Sequence, residues 1–372
     1  MPDAIQTLAQ IKVHRYQCPG CSADLAFEPQ DGCLACPYCG RKEPIPATAD
    51  QVQEQSYEDY LKLRPEQLKQ LANDALEVQC SGCGVTVAFT PPEVAGDCPF
   101  CTAKIVAQPR VAHPMLSPEG VVPFRLGHRQ ASEAIKAWLS ARWFAPGALL
   151  RLARQESAMG VYLPFWTYDA YTTSHYTGQR GEHYWETETY VDTDSSGRRV
   201  TRTRQVRRTR WYPASGVVKR WFDDVLVPAS LSLSSSRLAA LEPWGLEELQ
   251  AYQPAYLAGY KAQRYQVELK DGFELAKAAM APAIENDAYR DIGGDEQRVL
   301  ELRTAYSAVT FKHLLLPVWV SAVRFRDKIY QVLVNARTGE VQGERPYSPS
   351  KIGAFVLLLL VIVAILMYFF GQ

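Results

Sequence analysis

The spacing of apolar and polar residues predicts a mixed body of helices and strands in the middle of the chain. Residues 132–144 (SEAIKAWLSARWF) carry apolar side chains at helical spacing, with Ser132 as the predicted N-cap. Residues 161–176 are rich in aromatic and β-branched side chains, which indicates a strand. The second half predicts a strand over 263–269, a helix over 273–289 and strands over 314–325 and 329–334. We therefore expect an α+β body with mainly antiparallel strands across residues 111–347.

A hairpin with oppositely charged arms is predicted inside this body, over residues 182–212. Its turn is Asp194-Ser195-Ser196-Gly197, with glycine where a left-handed conformation is needed. The resulting register places Glu188 opposite Arg204, which favours a ladder of cross-strand ion pairs, each contributing roughly 0.2–1 kcal/mol. The alternative is a strip that binds nucleic acid, anionic lipid or another partner. Its candidate contacts are Arg202, Arg204, Arg208 and Arg210.

The end of the chain is uniformly apolar. Residues 352–370 are 19 residues (IGAFVLLLLVIVAILMYFF) without a charged side chain. At about 1.5 Å per residue, a helix of this length approaches the roughly 30 Å hydrocarbon core of a bilayer. A buried core helix is the weaker interpretation, because little chain follows that could wrap it. Arg345 and Lys351 precede the span, so the positive-inside rule predicts a tail-anchored protein with residues 1–351 in the cytoplasm.

Eight of the nine cysteines form two quartets. Each quartet has two C-x2-C pairs separated by 14 residues, and an offset of 62 residues lays one quartet on the other. Four thiolates at this spacing are typical of structural zinc ribbons, which leave no coordination position open for catalysis. A redox C-x2-C pair and a rubredoxin-type iron centre are the alternatives, and Cys33, which falls on Ala95 in the repeat, is excluded. The predicted ligands of two structural Zn²⁺ ions are Cys18, Cys21, Cys36, Cys39, Cys80, Cys83, Cys98 and Cys101.

These patterns divide the chain into five segments. They are zinc ribbon 1 (1–50), a helical spacer (51–77) with a predicted helix over 65–76, zinc ribbon 2 (78–110), the α+β body (111–347) and a transmembrane helix (352–370). Within the body, Leu163-Pro164-Phe165-Trp166 is followed later by Leu316-Pro317-Val318-Trp319. A diverged duplication with half-repeats 121–235 and 260–345 would explain this similarity, and two unrelated core tryptophans are the simpler explanation.

The charge is distributed unevenly, although 40 basic and 40 acidic residues balance over the whole chain. Residues 1–120 hold 9 basic and 15 acidic residues, a formal −6, and the remainder is +6. Two zinc sites with four thiolates each would lower the ribbon segment to about −10. That sign opposes binding to a phosphate backbone. The chain also lacks the motifs of a P-loop, a nucleophile elbow, a zinc protease and a dinucleotide fold, so no catalytic residue is predicted.

Several short strings carry a resemblance to known proteins. YQCPGCSADLAF and CPYCG resemble the zinc ribbons of transcription-factor-IIB type. Together with RWFAP, GVYLPFWTYDA, VNARTGEV and the apolar end, the layout is similar to a family of bacterial tail-anchored proteins with paired ribbons, often labelled primosomal protein N-prime or helicase-like. It also resembles the membrane partners of phage-shock-type proteins. The resemblance covers nearly the whole chain and implies the eight zinc ligands, a scaffold or recruiting role, and no catalytic residue.

We therefore expect a membrane-tethered zinc-ribbon adaptor or scaffold that recruits protein partners to the cytoplasmic face of the inner membrane. The alternative is a zinc-ribbon protein that binds nucleic acid, related to replication or transcription and tethered to the membrane, which the acidic ribbon segment disfavours. A third hypothesis is an enzyme with an unrecognised site in the body. No small-molecule substrate is evident from the sequence.

Overall fold

A computed structural model describes most of the chain. The described residues are 16–46, 52–62, 76–80, 85–89, 95–101, 103–106, 116–143, 158–193, 195, 197–325, 328–344 and 348–370. Cys83, nearly all of the predicted helix 65–76, and two residues of the predicted hairpin turn lie outside them.

The described elements are mostly strands. The strands are β1 Ala26–Glu28, β2 Cys33–Ala35, β3 Lys42–Glu43, β4 Gln55–Ser56, β5 Leu76–Gln79, β6 Thr86–Phe89, β7 Ala95–Asp97, β8 Lys104–Val106, β9 Gly120–Val121, β10 Met159–Thr193, β11 Arg199–Pro228, β12 Gln250–Ala251, β13 Lys261–Ala262, β14 Glu296–Phe325, β15 Lys328–Asn335 and β16 Val341–Gly343. The α-helices are α1 Tyr57–Lys62, α2 His128–Ser140, α3 Ser235–Ala239, α4 Leu269–Ile292 and α5 Pro349–Phe370, with 3-10 turns at Leu246–Glu248 and Pro254–Leu257. The fold is thus mixed α and β, as predicted.

One large sheet organises the body, in the order β11-β10-β14-β15-β16 with antiparallel neighbours. The predicted strand 161–176 lies within β10, and the predicted charged hairpin 182–212 is formed by the end of β10 and the start of β11. Strands β10 and β11 form one continuous ribbon. Its register places Glu188 opposite Arg204, as predicted from the turn. Strand β14 begins at Glu296 rather than at the predicted residue 314, because its first half pairs along β10 as far as Gly181.

Two helices differ from their predicted bounds. Helix α2 begins at His128, and Gly127 rather than Ser132 is its N-cap, with the Gly127 amide donating to the Gln130 side chain at 2.9 Å. Helix α4 contains the predicted helix 273–289 and is longer. The predicted strand 263–269 is wrong beyond Gln263, whose amide still donates to the Tyr162 carbonyl at 2.9 Å. The amides of Gln266 and Val267 donate to the Ala229 carbonyl instead, and Leu269 already begins α4.

The body has two similar successions of elements: β9, α2, β10, β11, and then β13, α4, β14, β15. The short strand of each succession pairs in parallel with the long strand of the other, β9 with β14 and β13 with β10. Leu163 lies directly opposite Leu316, so the two LPxW strings are side by side. Trp166 donates its indole N–H to the Val267 carbonyl at 2.9 Å, and Trp319 donates to the Leu126 carbonyl at 2.8 Å.

Both faces of the sheet are covered, which explains why residues 161–170 are buried without alternation. Tyr162 belongs to a core shared with α2, whereas its neighbour Leu163 belongs to a core on the other face, shared with α3. Farther along β10, Trp166 and Tyr168 pack against α4. The central strands therefore hold the covering elements from both sides.

Helix α5 is long and apolar enough to cross a membrane. Residues Pro349–Tyr368 have a mean hydropathy of 2.7, and none of this stretch is buried in the protein. At its start, Lys351 Nζ donates to the Trp143 carbonyl at 2.9 Å, and the Trp143 ring meets Phe355 edge-on at 5.9 Å. The first turns of α5 are thus held beside the end of α2.

Candidate metal centres

Four turns with one geometry present the cysteines. In each, the amide of the first cysteine donates to the carbonyl five residues later: Cys18 to Ala23, Cys36 to Arg41, Cys80 to Val85 and Cys98 to Ala103, at 2.8–2.9 Å. The second pair of bonds repeats the first pair at an offset of 62 residues. Short antiparallel strands flank the turns, β1 to β3 in the first module and β5 to β8 in the second.

The turns bring the sulfurs together into two clusters. Cys18, Cys21, Cys36 and Cys39 form the first, and Cys80, Cys98 and Cys101 form the second, with all sulfurs of a cluster within 4.8 Å of one another. Cys83, the predicted fourth ligand of the second cluster, lies outside the described residues. Cys33 belongs to neither cluster.

The sulfur spacing fits a tetrahedral metal ion. The Sγ–Sγ distances are 3.4 Å for Cys18–Cys39 and Cys21–Cys36, and 3.7 Å for Cys21–Cys39. In the second cluster, Cys80 and Cys101 are 3.4 Å apart. A tetrahedron with metal–sulfur bonds of about 2.3 Å has edges of about 3.8 Å. Both clusters could therefore hold a metal ion with little rearrangement.

Backbone amides favour the thiolate form at two positions in the first cluster. A hydrogen bond from the Cys39 amide lowers the pKa of Cys36 to about 6. A hydrogen bond from the Gly20 amide, at 3.4 Å, lowers the pKa of Cys18. At Cys21 and Cys39 a backbone hydrogen bond also acts to lower the pKa, but hydrogen bonds with neighbouring thiols raise the pKa overall. Deprotonated sulfur is the form that binds metal, so the backbone favours the metal-binding form most clearly at Cys18 and Cys36.

The two modules dock on the body through different surfaces. The first module packs by its sheet: Phe27 is buried, its ring meets the Tyr256 ring at 5.5 Å, and its amide donates to the Ala258 carbonyl at 2.9 Å. The second module packs by its cysteine turn, since Phe100 is buried in the core around Leu333, and Gln331 donates to the Phe100 carbonyl at 2.7 Å. The second cysteine turn is therefore solvent-facing in the first module, at Tyr38, and enclosed in the second module, at Phe100.

The predicted arginine contacts lie on one face of the ribbon formed by β10 and β11. Arg202 pairs with Asp192 at 3.2 Å, Arg204 with Glu188 at 3.0 Å, and Arg208 with Glu186 and Glu188. The Arg210 guanidinium lies over the Tyr184 ring at 4.9 Å. Carboxylates on the same face thus neutralise three of these four arginines, and the fourth lies over an aromatic ring.

A second exposed face of this ribbon was missed by sequence reasoning. Trp185 is 67% exposed, and its cross-strand neighbour is Arg207. Because side chains alternate along a strand, this pair lies on the face opposite the ion-pair ladder. The alternation is visible in the sequence once the register is known, and it leaves an aromatic and a basic side chain open to solvent.

A buried polar cluster joins the spacer to the body. Lys312 contacts Asp224 at 2.6 Å and Glu54 at 3.2 Å. Asp169 accepts from the Asp224 amide at 2.6 Å and from the Thr310 hydroxyl at 2.7 Å, and burial raises the pKa of Asp169. These residues are scattered from 54 to 312, so no local motif could have brought them together.

Comparison with known proteins adds one relative of similar length. The chain is 26% identical over 342 residues to the uncharacterized protein YdjG of Bacillus subtilis (strain 168), which covers 91% of this chain and 92% of that protein. No protein-family model matches the chain, and no solved structure matches it. The similarity thus extends over most of both chains, and the relative's name assigns no activity.

The two clusters differ in how far their cysteines are exposed to solvent. Cys80, Cys98 and Cys101 are all buried, whereas Cys21 and Cys39 of the first cluster are exposed. A metal ion held by the second cluster would be shielded by protein, and one held by the first could be reached by a competing ligand. The sequence, with its near-identical quartets, gives no sign of this asymmetry.

Proposed function

We propose that this protein is a membrane-tethered adaptor that holds a partner-binding surface away from the bilayer. The observation that carries the proposal is the arm, defined as residues 182–193 and 199–210. Strand β14 ends its pairing at Gly181, so among the described residues the arm is a two-stranded ribbon without a core. At roughly 3.3 Å per residue it extends about 40 Å beyond the body.

The topology supports an arm that points away from the membrane. Strand β14 runs from the base of the arm toward the other end of the sheet, and β16 runs in the same direction because both are antiparallel to β15. The chain then enters α5 from that far end. Anchor and arm are thus at opposite ends of the sheet, which suits a spacer better than a lipid-binding strip.

We infer that both clusters hold structural zinc. Four thiolates, the sulfur spacing and the reducing cytosol favour Zn²⁺, and no ligand position would remain open for catalysis. Each module has only short strands, so the metal would supply much of its folding free energy. The arrangement is that of a zinc ribbon whose role is to hold a surface in shape.

We also infer that the body is a diverged duplication in which the two halves exchange their short strands. The two tryptophans support this inference. Trp166 donates to the Val267 carbonyl and Trp319 to the Leu126 carbonyl, and each acceptor lies in the opposite half, two residues before its helix begins. The aromatic neighbours are equivalent too: Tyr265 lies 5.0 Å from Trp166, and Phe124 lies 5.3 Å from Trp319. A two-fold arrangement of this kind would make one rigid support for anchor and arm.

The proposed orientation is a single span of the inner membrane with the bulk of the chain in the cytoplasm. Lys351 at the start of α5 supports it through the positive-inside rule. Trp143, in contact with the first turns of α5, would lie at the headgroup level, where tryptophan is enriched.

Proximity labelling in the native host tests the adaptor proposal. A biotin ligase on the N-terminus of the full chain should label a reproducible protein set that is absent when the ligase is fused to residues 345–372 alone. Shortening the arm by removing residues 184–193 and 199–208 together preserves the strand pairing and should remove part of that set. If the full chain labels nothing beyond the anchor control, the proposal is wrong.

Nucleic-acid binding remains the second candidate because of Trp185 and Arg207 on the open face of the arm. An exposed aromatic ring beside a basic side chain can stack on a base and contact a phosphate. Binding of the purified chain to single-stranded DNA across a salt series would then show a steep negative slope. A flat dependence would remove this candidate.

A further inference from the structure

The two cysteine modules give an internal comparison of one surface in two environments. This surface is the second cysteine turn: Cys36-Pro37-Tyr38-Cys39 in the first module and Cys98-Pro99-Phe100-Cys101 in the second, related by the 62-residue offset. Both turns present a proline and then an aromatic side chain between two ligands. Any difference in their surroundings therefore reflects what each turn contacts.

In the second module the turn is buried against the body. Pro99 and Phe100 are buried, and Phe100 is 1% exposed in a core that includes Leu233 and Ile329. Gln331 donates its side-chain amide to the Phe100 carbonyl at 2.7 Å. The body thus receives this turn with an apolar pocket and one polar donor at its rim.

In the first module the same turn faces solvent. Tyr38 is 83% exposed, and Pro37 and Cys39 are exposed beside it. The first module cannot turn this surface to the body, because Phe27 and Leu34 on its sheet are already buried there. A rigid aromatic side chain is held outward by a metal-binding turn, at a position that its sister module uses for docking.

We propose that the Tyr38 turn is the docking surface for a protein partner, which deepens the proposed adaptor function and rests on it. The partner offers an apolar pocket with a side-chain or backbone N–H at its rim, which is the receptor that the body already provides for Phe100. The pocket takes the Tyr38 ring, and the N–H bonds the Tyr38 carbonyl. Tyrosine is among the residues that most often dominate binding energy at protein interfaces.

The charge of the module favours a protein over a nucleic acid. Residues 16–46 carry four acidic side chains (Asp24, Glu28, Asp31 and Glu43) and two basic ones (Arg41 and Lys42). Both basic side chains are engaged within the module, Arg41 with Glu43 and Lys42 with Asp31, each at 2.7 Å. A tetrathiolate metal site would add about −2. A phosphate backbone would be repelled here, whereas a neutral or basic protein surface would not.

Site-specific photocrosslinking of the full chain in native host membranes locates the docking surface. Benzoylphenylalanine replaces Tyr38, Trp185 on the arm, or Leu231, which is 72% exposed on the body. A protein adduct of one mass from position 38, absent from position 231, is expected. Adducts from position 185 and not from 38 would overturn this inference and leave the adaptor proposal standing. Adducts at neither position 38 nor position 185 would overturn both the docking inference and the adaptor proposal. An adduct with DNA or with a second copy of the chain would overturn the docking inference.

The captured protein, purified, is then titrated against the full chain in nanodiscs. Tyr38→Ala should weaken binding at least tenfold, Tyr38→Phe should bind within threefold of the wild type, and Leu231→Ala should not change the affinity. Each variant must retain the zinc content of the wild type, which shows that the module is folded. Equal binding by Tyr38→Ala and the wild type would overturn the proposal.

Discussion

The contrast between Phe100 and Tyr38 predicts that the same truncation to alanine lowers stability strongly at Phe100 and hardly at all at Tyr38. Phe100 is 1% exposed and fills a pocket of the body, whereas Tyr38 is 83% exposed. Truncating a fully buried phenylalanine to alanine costs about 3–5 kcal/mol through lost burial and a residual cavity. Truncating an exposed side chain costs within about 0.5 kcal/mol. The bond from Gln331 goes to the backbone, so Phe100→Ala removes packing without removing that partner.

Thermal unfolding of the detergent-solubilised chain measures the difference. For a domain of 150–250 residues, each kcal/mol shifts Tm by about 2–4 °C, so Phe100→Ala should melt at least about 6 °C below the wild type. Tyr38→Ala should melt within about 2 °C of it. Phe100→Leu, which refills part of the pocket, is the matched control and should recover part of the loss. Equal shifts in Tm for Phe100→Ala and Tyr38→Ala would refute the conclusion that Phe100 fills a pocket of the body.

Three further outcomes follow from burial and backbone geometry. A chelator should remove one metal per chain quickly and the second slowly, because Cys21 and Cys39 are exposed and the described ligands of the other cluster are buried; a single release phase for both metals would contradict this. Gly178→Ala should destabilise the protein by at least about 1–3 kcal/mol, since an added Cβ would lie 2.3 Å from a backbone carbonyl oxygen, whereas Gly353→Ala, with nothing within 4 Å, should leave Tm unchanged. Burial lowers the pKa of His313 to about 4, so its unfolded form binds a proton first, and stability should fall as pH drops from about 6.5 toward 4, by at most about 3 kcal/mol. His313→Gln should flatten that part of the pH profile, and an unchanged slope would contradict the assignment.

The sequence predicts features that depend on local spacing. The cysteine turns repeat at a fixed offset of 62 residues, and four cysteines at this spacing favour one kind of site, a metal site. The hairpin register follows from one turn, because Gly197 adopts the left-handed conformation with φ of 80° and side chains in a strand alternate strictly. Glu188 therefore meets Arg204 as expected.

Features that depend on distant partners could not be predicted in this way. The first half of β14 is a strand because it pairs with β10, and its own residues show only weak alternation. The sheet is covered on both faces, so residues 161–170 give no two-residue period that would reveal their neighbours. The docking of Phe100 beside Gln331 joins residues more than two hundred positions apart. Such contacts depend on complementary surfaces, which spacing along the chain does not encode.

If helix α5 spans a membrane, as proposed, the edge of the large sheet affects how copies of the chain behave when they are crowded on that surface. Strand β11 is the terminal strand of the sheet order and is 30 residues long, so it offers a template on which another strand could pair. Confinement to a surface would raise the rate of encounter between copies. Eight lysine and arginine side chains along β11 would then face their own counterparts, and this repulsion would discourage the molecules from joining edge to edge. Because Arg202, Arg204, Arg208 and Arg220 are already paired with carboxylates, this repulsion would be weaker than the number of cations suggests.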